Sequence, residues 1–361
     1  VGTYALGANT TGTRNAAVGW ATLDAATTAV DNTALGFQAL SAVTTGSYNT
    51  GVGSYSGDAI TTGTHNTAIG QASGTAITTG GYNTSVGSQS FTVNTTGTEN
   101  VAVGYAALDA NTTASYNVAI GSAALSANTT GINTAIGANT LAAVTTSAGN
   151  TALGQDALAA NTAEKNTAVG AYALDSNTTG TRNVGVGWAV MDANTTGSYN
   201  TAVGYGALDA STTASNHTAI GYLALSANTS GTNNTAVGFQ TLIVNTTGTS
   251  NVGLGHNTLS LNTTGAGNTG LGYQVLANNA TVNYNTGVGY DALNKNTTGT
   301  ENVSVGAFAL DANTTASNNV AVGKSALSAN TTGASNVGVG KDALLANTTG
   351  SNHTAVGLGA L

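Results

Sequence analysis

The sequence has no cysteine and no proline, and charged residues make up only 6% of its 361 positions. The absence of cysteine excludes disulfides and thiolate metal sites. The 6 lysines and arginines are scattered and form no basic stripe that could neutralise phosphates, so nucleic acid is not an expected partner. No apolar run approaches the roughly 18 residues that a membrane-spanning helix needs, and we expect no membrane insertion within this chain.

Aromatic residues are also scarce, at 5%, although hydrophobic residues together reach 40%. Most of the hydrophobic residues are alanine, valine and leucine, so we expect a thin core of small side chains rather than a large globular interior. Glycine, with 50 residues, is far more frequent than in an average globular protein. The composition therefore indicates something simpler than a mosaic of domains.

A 17-residue repeat accounts for this composition, with the consensus N-T-A-V-G-x-x-A-L-x-A-N-T-T-G-x-x. Its 21 units begin at residue 15, and the asparagine that opens each unit defines column one; two units, beginning at Asn117 and Asn150, have 16 residues. Fixed-period self-similarity of this kind indicates stacked coils. We therefore predict that residues 1–361 form a single continuous all-β array, a parallel β-solenoid. At about 4.8 Å per coil the array would be about 100 Å long, and we expect it to be a segment of a longer fibre.

The unit at 166–182 shows the structural role that we predict for each column. Gly170 represents column five, which is glycine in all 21 units, as a turn with positive φ or a close backbone approach requires. Val169 in column four and Leu174 in column nine are predicted to form the core between two short strands per coil. Asn166 in column one, like the asparagines of column twelve, is predicted to hydrogen-bond coil to coil through its amide.

Column three contains only alanine, glycine and serine, and alternation places it on the face opposite column four. We expect this flat face to lie outside the core, where it would favour close packing against another copy of the chain. The predicted partner is therefore another copy of the chain.

Aromatic residues recur in column six, and the run Trp188, Tyr205, Tyr222 and Phe239 occupies four consecutive units. One interpretation is a stacked corner stripe that stabilises the sheet. The other is an exposed patch that binds sugar rings or a partner surface, which makes a host-surface glycan or protein a further candidate partner.

Catalytic and metal chemistry find no support in the pattern. The four histidines are spread over three columns, with His65 in column seventeen, His256 in column six and both His217 and His353 in column one, so they are not expected to converge on a metal ion. A repeated unit also offers no unique set of nucleophile, base and orienting group. We predict no enzyme activity, no cofactor and no metal site.

The N-T-A-I-G and N-T-A-V-G segments at 66–70 and 200–204 resemble the head repeats of YadA-like trimeric autotransporter adhesins. Similar A-L-x-x-N-T-T-G units occur in phage tail fibres and bacterial fibre proteins. The resemblance covers essentially the whole chain and implies a left-handed parallel β-roll, assembled as a homotrimer on the surface of a cell or virion. The period is longer than that of the autotransporter heads, and no coiled-coil stalk heptads are present.

The leading functional hypothesis is a rod or head region of an extracellular fibrous adhesin that mediates surface attachment. Three alternatives stay open: a bacteriophage or phage-like tail fibre shaft, a self-assembling extracellular filament or sheath subunit, and an ice-binding β-solenoid. Ice binding would use ranks of threonine in columns two, thirteen and fourteen, but valine interrupts column two in seven units.

Overall fold

The computed structural model describes all residues from Val1 to Leu361. These residues fall into two compact units, Val1–Thr179 and Gly180–Leu361. Each unit is a parallel β-solenoid, in which consecutive coils of the repeat contribute consecutive strands to one sheet. No element is a helix of the length and hydrophobicity needed to cross a membrane. The predicted all-β solenoid class and its 17-residue period are confirmed.

Each coil contributes one strand of three or four residues. In the first unit the strands are β1 Ala16–Val18, β2 Thr33–Leu35, β3 Thr50–Val52, β4 Thr67–Ile69, β5 Thr84–Val86, β6 Val101–Val103, β7 Val118–Ile120, β8 Asn133–Ile136, β9 Asn150–Leu153 and β10 Thr167–Val169. In the second unit they are β11 Val184–Val186, β12 Thr201–Val203, β13 Thr218–Ile220, β14 Thr235–Val237, β15 Val252–Leu254, β16 Thr269–Leu271, β17 Thr286–Val288, β18 Val303–Val305, β19 Val320–Val322, β20 Val337–Val339 and β21 Thr354–Val356. Neighbouring strands pair in parallel and in register, column on column, as in Thr201↔Thr218.

The prediction of two strands per coil was wrong, because the second side of the coil is not extended. Residues in columns seven and nine have left-handed backbone conformations, with φ of 58° at Tyr172 and 55° at Leu174. A non-glycine residue in this region costs roughly 1–2 kcal/mol, which packing must offset. The turns still bond from coil to coil, as when the Leu208 N–H donates to the Ala224 carbonyl at 3.0 Å.

The core includes column three together with column nine, and this reverses the predicted orientation of the strands. Ala168 and Leu174 are fully buried, whereas Val169, predicted to be in the core, is only half-buried and faces outward. Column-four side chains such as Val18 and Leu35 are 47% and 49% exposed. The predicted flat outer face of alanine and glycine is therefore the inner face, and the outer face has a stripe of valine, isoleucine and leucine.

The width of the coil explains this orientation. A Cβ added to Gly51 in column three would lie 2.7 Å from Cγ of Leu40, which is the column-nine leucine of the preceding coil. The leucines already fill the interior at van der Waals density, so nothing larger than alanine or serine fits opposite them. The bulky branched residues consequently point outward.

Column-five glycines are required for two reasons. Gly170 has φ of 129°, a conformation that side chains disfavour. In addition, a Cβ added to Gly289, where φ is 138°, would lie 2.6 Å from the carbonyl oxygen of Gly306 in the next coil. The predicted role of this column is confirmed.

Asparagine ladders run through the interior, as predicted. The Asn166 N–H donates to Oδ1 of Asn150 at 2.9 Å, and Asn166 is fully buried. Column twelve does the same, since Nδ2 of Asn245 donates to Oδ1 of Asn228 at 2.9 Å. The Asn245 amide also donates to the Gly248 carbonyl at 3.1 Å, and bonds of this kind offset the cost of burying polar groups. Two atoms of column twelve, Oδ1 of Asn94 and Nδ2 of Asn111, are buried without a partner.

Candidate functional site

The column-six aromatics of the second unit form an exposed ladder of stacked rings. Trp188, Tyr205, Tyr222 and Phe239 are 51%, 49%, 44% and 43% exposed. Their ring centroids are separated by 5.0, 5.5 and 5.3 Å in order, with planes within 17° of parallel. The structure therefore brings the four sequence-selected residues together on one surface.

The ladder continues beyond the run that the sequence analysis selected. His256 stacks between Phe239 and Tyr273 at 5.0 and 5.2 Å, and Tyr273 stacks on Tyr290 at 5.0 Å. His256 follows Phe239 in column six, and this position is the sequence signal for a further ring in the stack.

Stacking limits what this ladder can bind. Each inner ring has a neighbouring ring over both faces, so it exposes edges and, for tyrosine, a hydroxyl. A sugar cannot lie flat on a face that another ring covers. The four selected aromatics are thus placed for edge contacts with a partner surface, and their role in binding stays a prediction.

A second stack lies in column seventeen of the first unit. His65 packs between Tyr48 and Tyr82 with centroid distances of 4.7 and 4.6 Å. Tyr48 and Tyr82 are exposed. Sequence reasoning did not single out this column, although the recurrence of rings at a 17-residue interval was the available signal.

The second unit also has a groove of about 210 Å³, lined by residues of three consecutive coils. Its lining residues are Gln274, Asp291, Asn294, Lys295, Phe308 and Asp311. The aromatic ladder ends here, because the next coil has Ala307 in column six and carries its aromatic residue, Phe308, in column seven. Phe308 meets Tyr290 at 5.3 Å with an interplanar angle of 65°. Sequence reasoning missed this groove, whose signal was the shift of the aromatic residue by one column.

The titratable groups do not gather into a metal site. His217 is buried in the second unit, whereas His353 is exposed. Burial raises the pKa of Asp192, and burial together with the charge of Asp192 raises the pKa of Asp209. No group of three or more histidine or carboxylate side chains is arranged to hold a metal ion.

Comparison with known proteins adds no assignment: the chain matches no protein-family model and no curated protein sequence.

Proposed function

We propose that the chain is a structural rod or head region of an extracellular fibrous adhesin, assembled as a homotrimer on the surface of a cell or virion. The observation that carries the proposal is the outward stripe of column-four side chains. Its members alternate with the threonine or valine side chains of column two on the outer face of each sheet. This stripe takes the place of the alanine face as the physical reason for self-association.

The size of the stripe supports an interface. About ten strands at 4.8 Å give the outer sheet face of one unit a length of about 50 Å. A stripe of that length and about 8 Å wide covers on the order of 400 Å². The largest apolar patch on an ordinary monomer is about 300–600 Å² and is often functional. Association of three copies would bury this surface.

The repetition of the coils supports the part of the proposal that assigns the chain a structural role. The coils repeat one pattern of backbone hydrogen bonds, and 19 of the 21 units open with asparagine, so the chain is built without any unique constellation of reactive groups. Regularly spaced surface side chains suit attachment through many weak contacts, where multivalency raises the overall affinity. A left-handed β-roll, as the resemblance to the autotransporter heads implies, is part of the same proposal.

Light scattering of the purified chain tests the assembly. We expect a mass near three times 34.9 kDa. Ile220→Lys combined with Val322→Lys should yield folded monomers, because both side chains belong to the outward stripe and are partly exposed. Val93→Lys, at an exposed valine in a turn, is the matched control and should leave the mass unchanged. A monomeric native chain would refute the trimer.

Attachment needs its own test. The fluorescently labelled chain should bind to intact host cells in a saturable manner, and binding should weaken in the monomeric double variant because multivalency is lost. The absence of saturable binding to any cell type would count against an adhesin.

Ice binding is a second candidate function, favoured by the outward placement of column two. Thr33, Thr50, Thr67 and Thr84 form an uninterrupted rank on consecutive strands, with a column-four residue beside each. Thermal hysteresis of the native chain tests this candidate. A freezing point equal to the melting point, with unaltered crystal shape, would exclude it.

A further inference from the structure

The groove at the end of the aromatic ladder is a break in a repeating surface. From Trp188 to Tyr273 each ring stacks on the ring of the next coil, but no column-six ring follows Tyr290. Phe308 is instead turned by 65° and is 38% exposed. Its column-seven successor is Ser325, so no ring of the following coil continues the stack. An aromatic side chain thus borders a polar cavity.

The polar wall of the groove is held in place by its own hydrogen bonds. Nδ2 of Asn294 donates to the Gln274 carbonyl at 2.9 Å and to Oδ1 of Asp291 at 3.0 Å. Asn278 in turn donates to the Asn294 carbonyl at 2.9 Å and to its Oδ1 at 3.2 Å. The bond from Asn294 holds one oxygen of the Asp291 carboxylate in place. Side chains that are already ordered lose little conformational entropy when a ligand binds.

The charges of the groove narrow the class of ligand. Asp291 and Asp311 contribute two carboxylates and Lys295 one ammonium group, a formal net charge of −1. Burial raises the pKa of Asp311, while the charge of Lys295 acts in the opposite direction. The negative balance disfavours anionic ligands, and the ammonium group disfavours a divalent cation. Carboxylates, amide and ammonium together offer both acceptors and donors.

We propose that this groove binds one ring of a neutral glycan, with an apolar face of the sugar against Phe308 and its hydroxyls hydrogen-bonded to Asp291, Asp311 and Lys295. The volume of about 210 Å³ is below the roughly 300–1,000 Å³ of sites for drug-sized ligands, and it suits a single monosaccharide ring. A few convergent polar groups beside an apolar surface are typical of small-molecule sites. The inference rests on the proposed adhesin function, for which it names the ligand.

Saturation-transfer NMR on the full chain, with a panel of neutral methyl hexosides and methyl N-acetylhexosaminides and with sialic acid as the anionic probe, tests the proposal. We expect signals for at least one neutral glycoside and none for sialic acid. Phe308→Ala should weaken binding at least about tenfold. Asp311→Asn, which keeps the shape of the side chain, should weaken it several-fold.

Tyr55→Ala provides the matched control. Tyr55 also occupies column seven and meets Phe37 edge-on at 5.2 Å, but Ser41 and Ala42 of the preceding coil stand where the groove has Asn294 and Lys295. This variant should leave sugar binding unchanged. Equal loss in Tyr55→Ala and Phe308→Ala, binding of sialic acid alone, or Asp311-dependent binding of Ca²⁺ without any sugar would each overturn the proposal. So would the absence of any signal across the panel.

The cell-binding assay separates this proposal from the adhesin function. If Phe308→Ala binds host cells as well as the native chain, the groove proposal fails while the adhesin function stands. If the native chain binds a glycoside but no cell, the groove stands and the adhesin function fails.

Discussion

His217 is the position at which we expect acid to destabilise the second unit. It replaces the usual asparagine of column one, and only 2% of its surface is exposed. Its Nδ1 accepts the Asn234 N–H at 3.2 Å, a role that the ring can fill only while Nδ1 is unprotonated. Burial lowers the pKa of His217 from 6.5 to about 4.

The direction of the pH effect follows from this shift. Because the folded-state pKa of His217 lies below the unfolded value, the unfolded chain binds more protons between pH 6.5 and 4. The neutral ring therefore makes its full contribution to stability above pH 6.5, and the free energy of unfolding falls as the pH drops below that value. By linkage, the loss is about 2 kcal/mol at pH 5 and about 3 kcal/mol at pH 4.

His217→Asn should abolish this loss, because asparagine restores the ladder between Asn200 and Asn234 without a titrating group. Urea denaturation at pH 7, 5 and 4 gives the free energy of unfolding of the variant and of the native chain. The contribution of the carboxylates is common to both chains and cancels in the difference between the two values. Hydrogen exchange over 200–234 shows where the structure opens. His353→Asn is the matched control, since it changes the other column-one histidine at an exposed position. A difference in unfolding free energy between His217→Asn and the native chain that stays constant from pH 7 to pH 4 would refute this prediction.

Four further substitutions test the interior and the outer face of the coil, each measured as a change in the free energy of unfolding. Gly289→Ala should cost about 3 kcal/mol, because the added Cβ would strain a φ of 138° and meet the next coil's backbone; an unchanged stability would contradict the close approach. Asn66→Ala should cost about 3 kcal/mol or more, because its buried amide bonds Asn49 at 3.1 Å and the Gly80 carbonyl at 2.9 Å; a neutral effect would show that the ladder is dispensable. Ala219→Leu should cost about 2 kcal/mol by overpacking, and Ile220→Ser less than about 1 kcal/mol; the opposite order would mean that column four faces the core.

For the candidate surface, the sequence predicted which residues occupy the same column of the repeat, but not how their side chains are oriented. The register predicted that Trp188, Tyr205, Tyr222 and Phe239 share a surface, and the structure places them there. It did not predict that the ring faces cover one another, because ring orientation depends on side-chain torsions that no repeat pattern contains. For the groove beside Phe308, the sequence shows only that the aromatic residue shifts by one column. The turn of the ring and the hydrogen bonds of Asn294 that shape the groove are decided by the three-dimensional arrangement.

The sequence alone determined the period, the parallel coil-on-coil pairing, the need for glycine in column five and the asparagine ladders, since each follows from one residue type recurring at a fixed interval. It did not determine which face of the strand is inside. Alternation separates Ala168 from Val169 but is equally compatible with either one in the core. The tertiary structure decided this through the width of the coil, because leucines such as Leu174 fill the interior and leave room opposite only for alanine, glycine or serine.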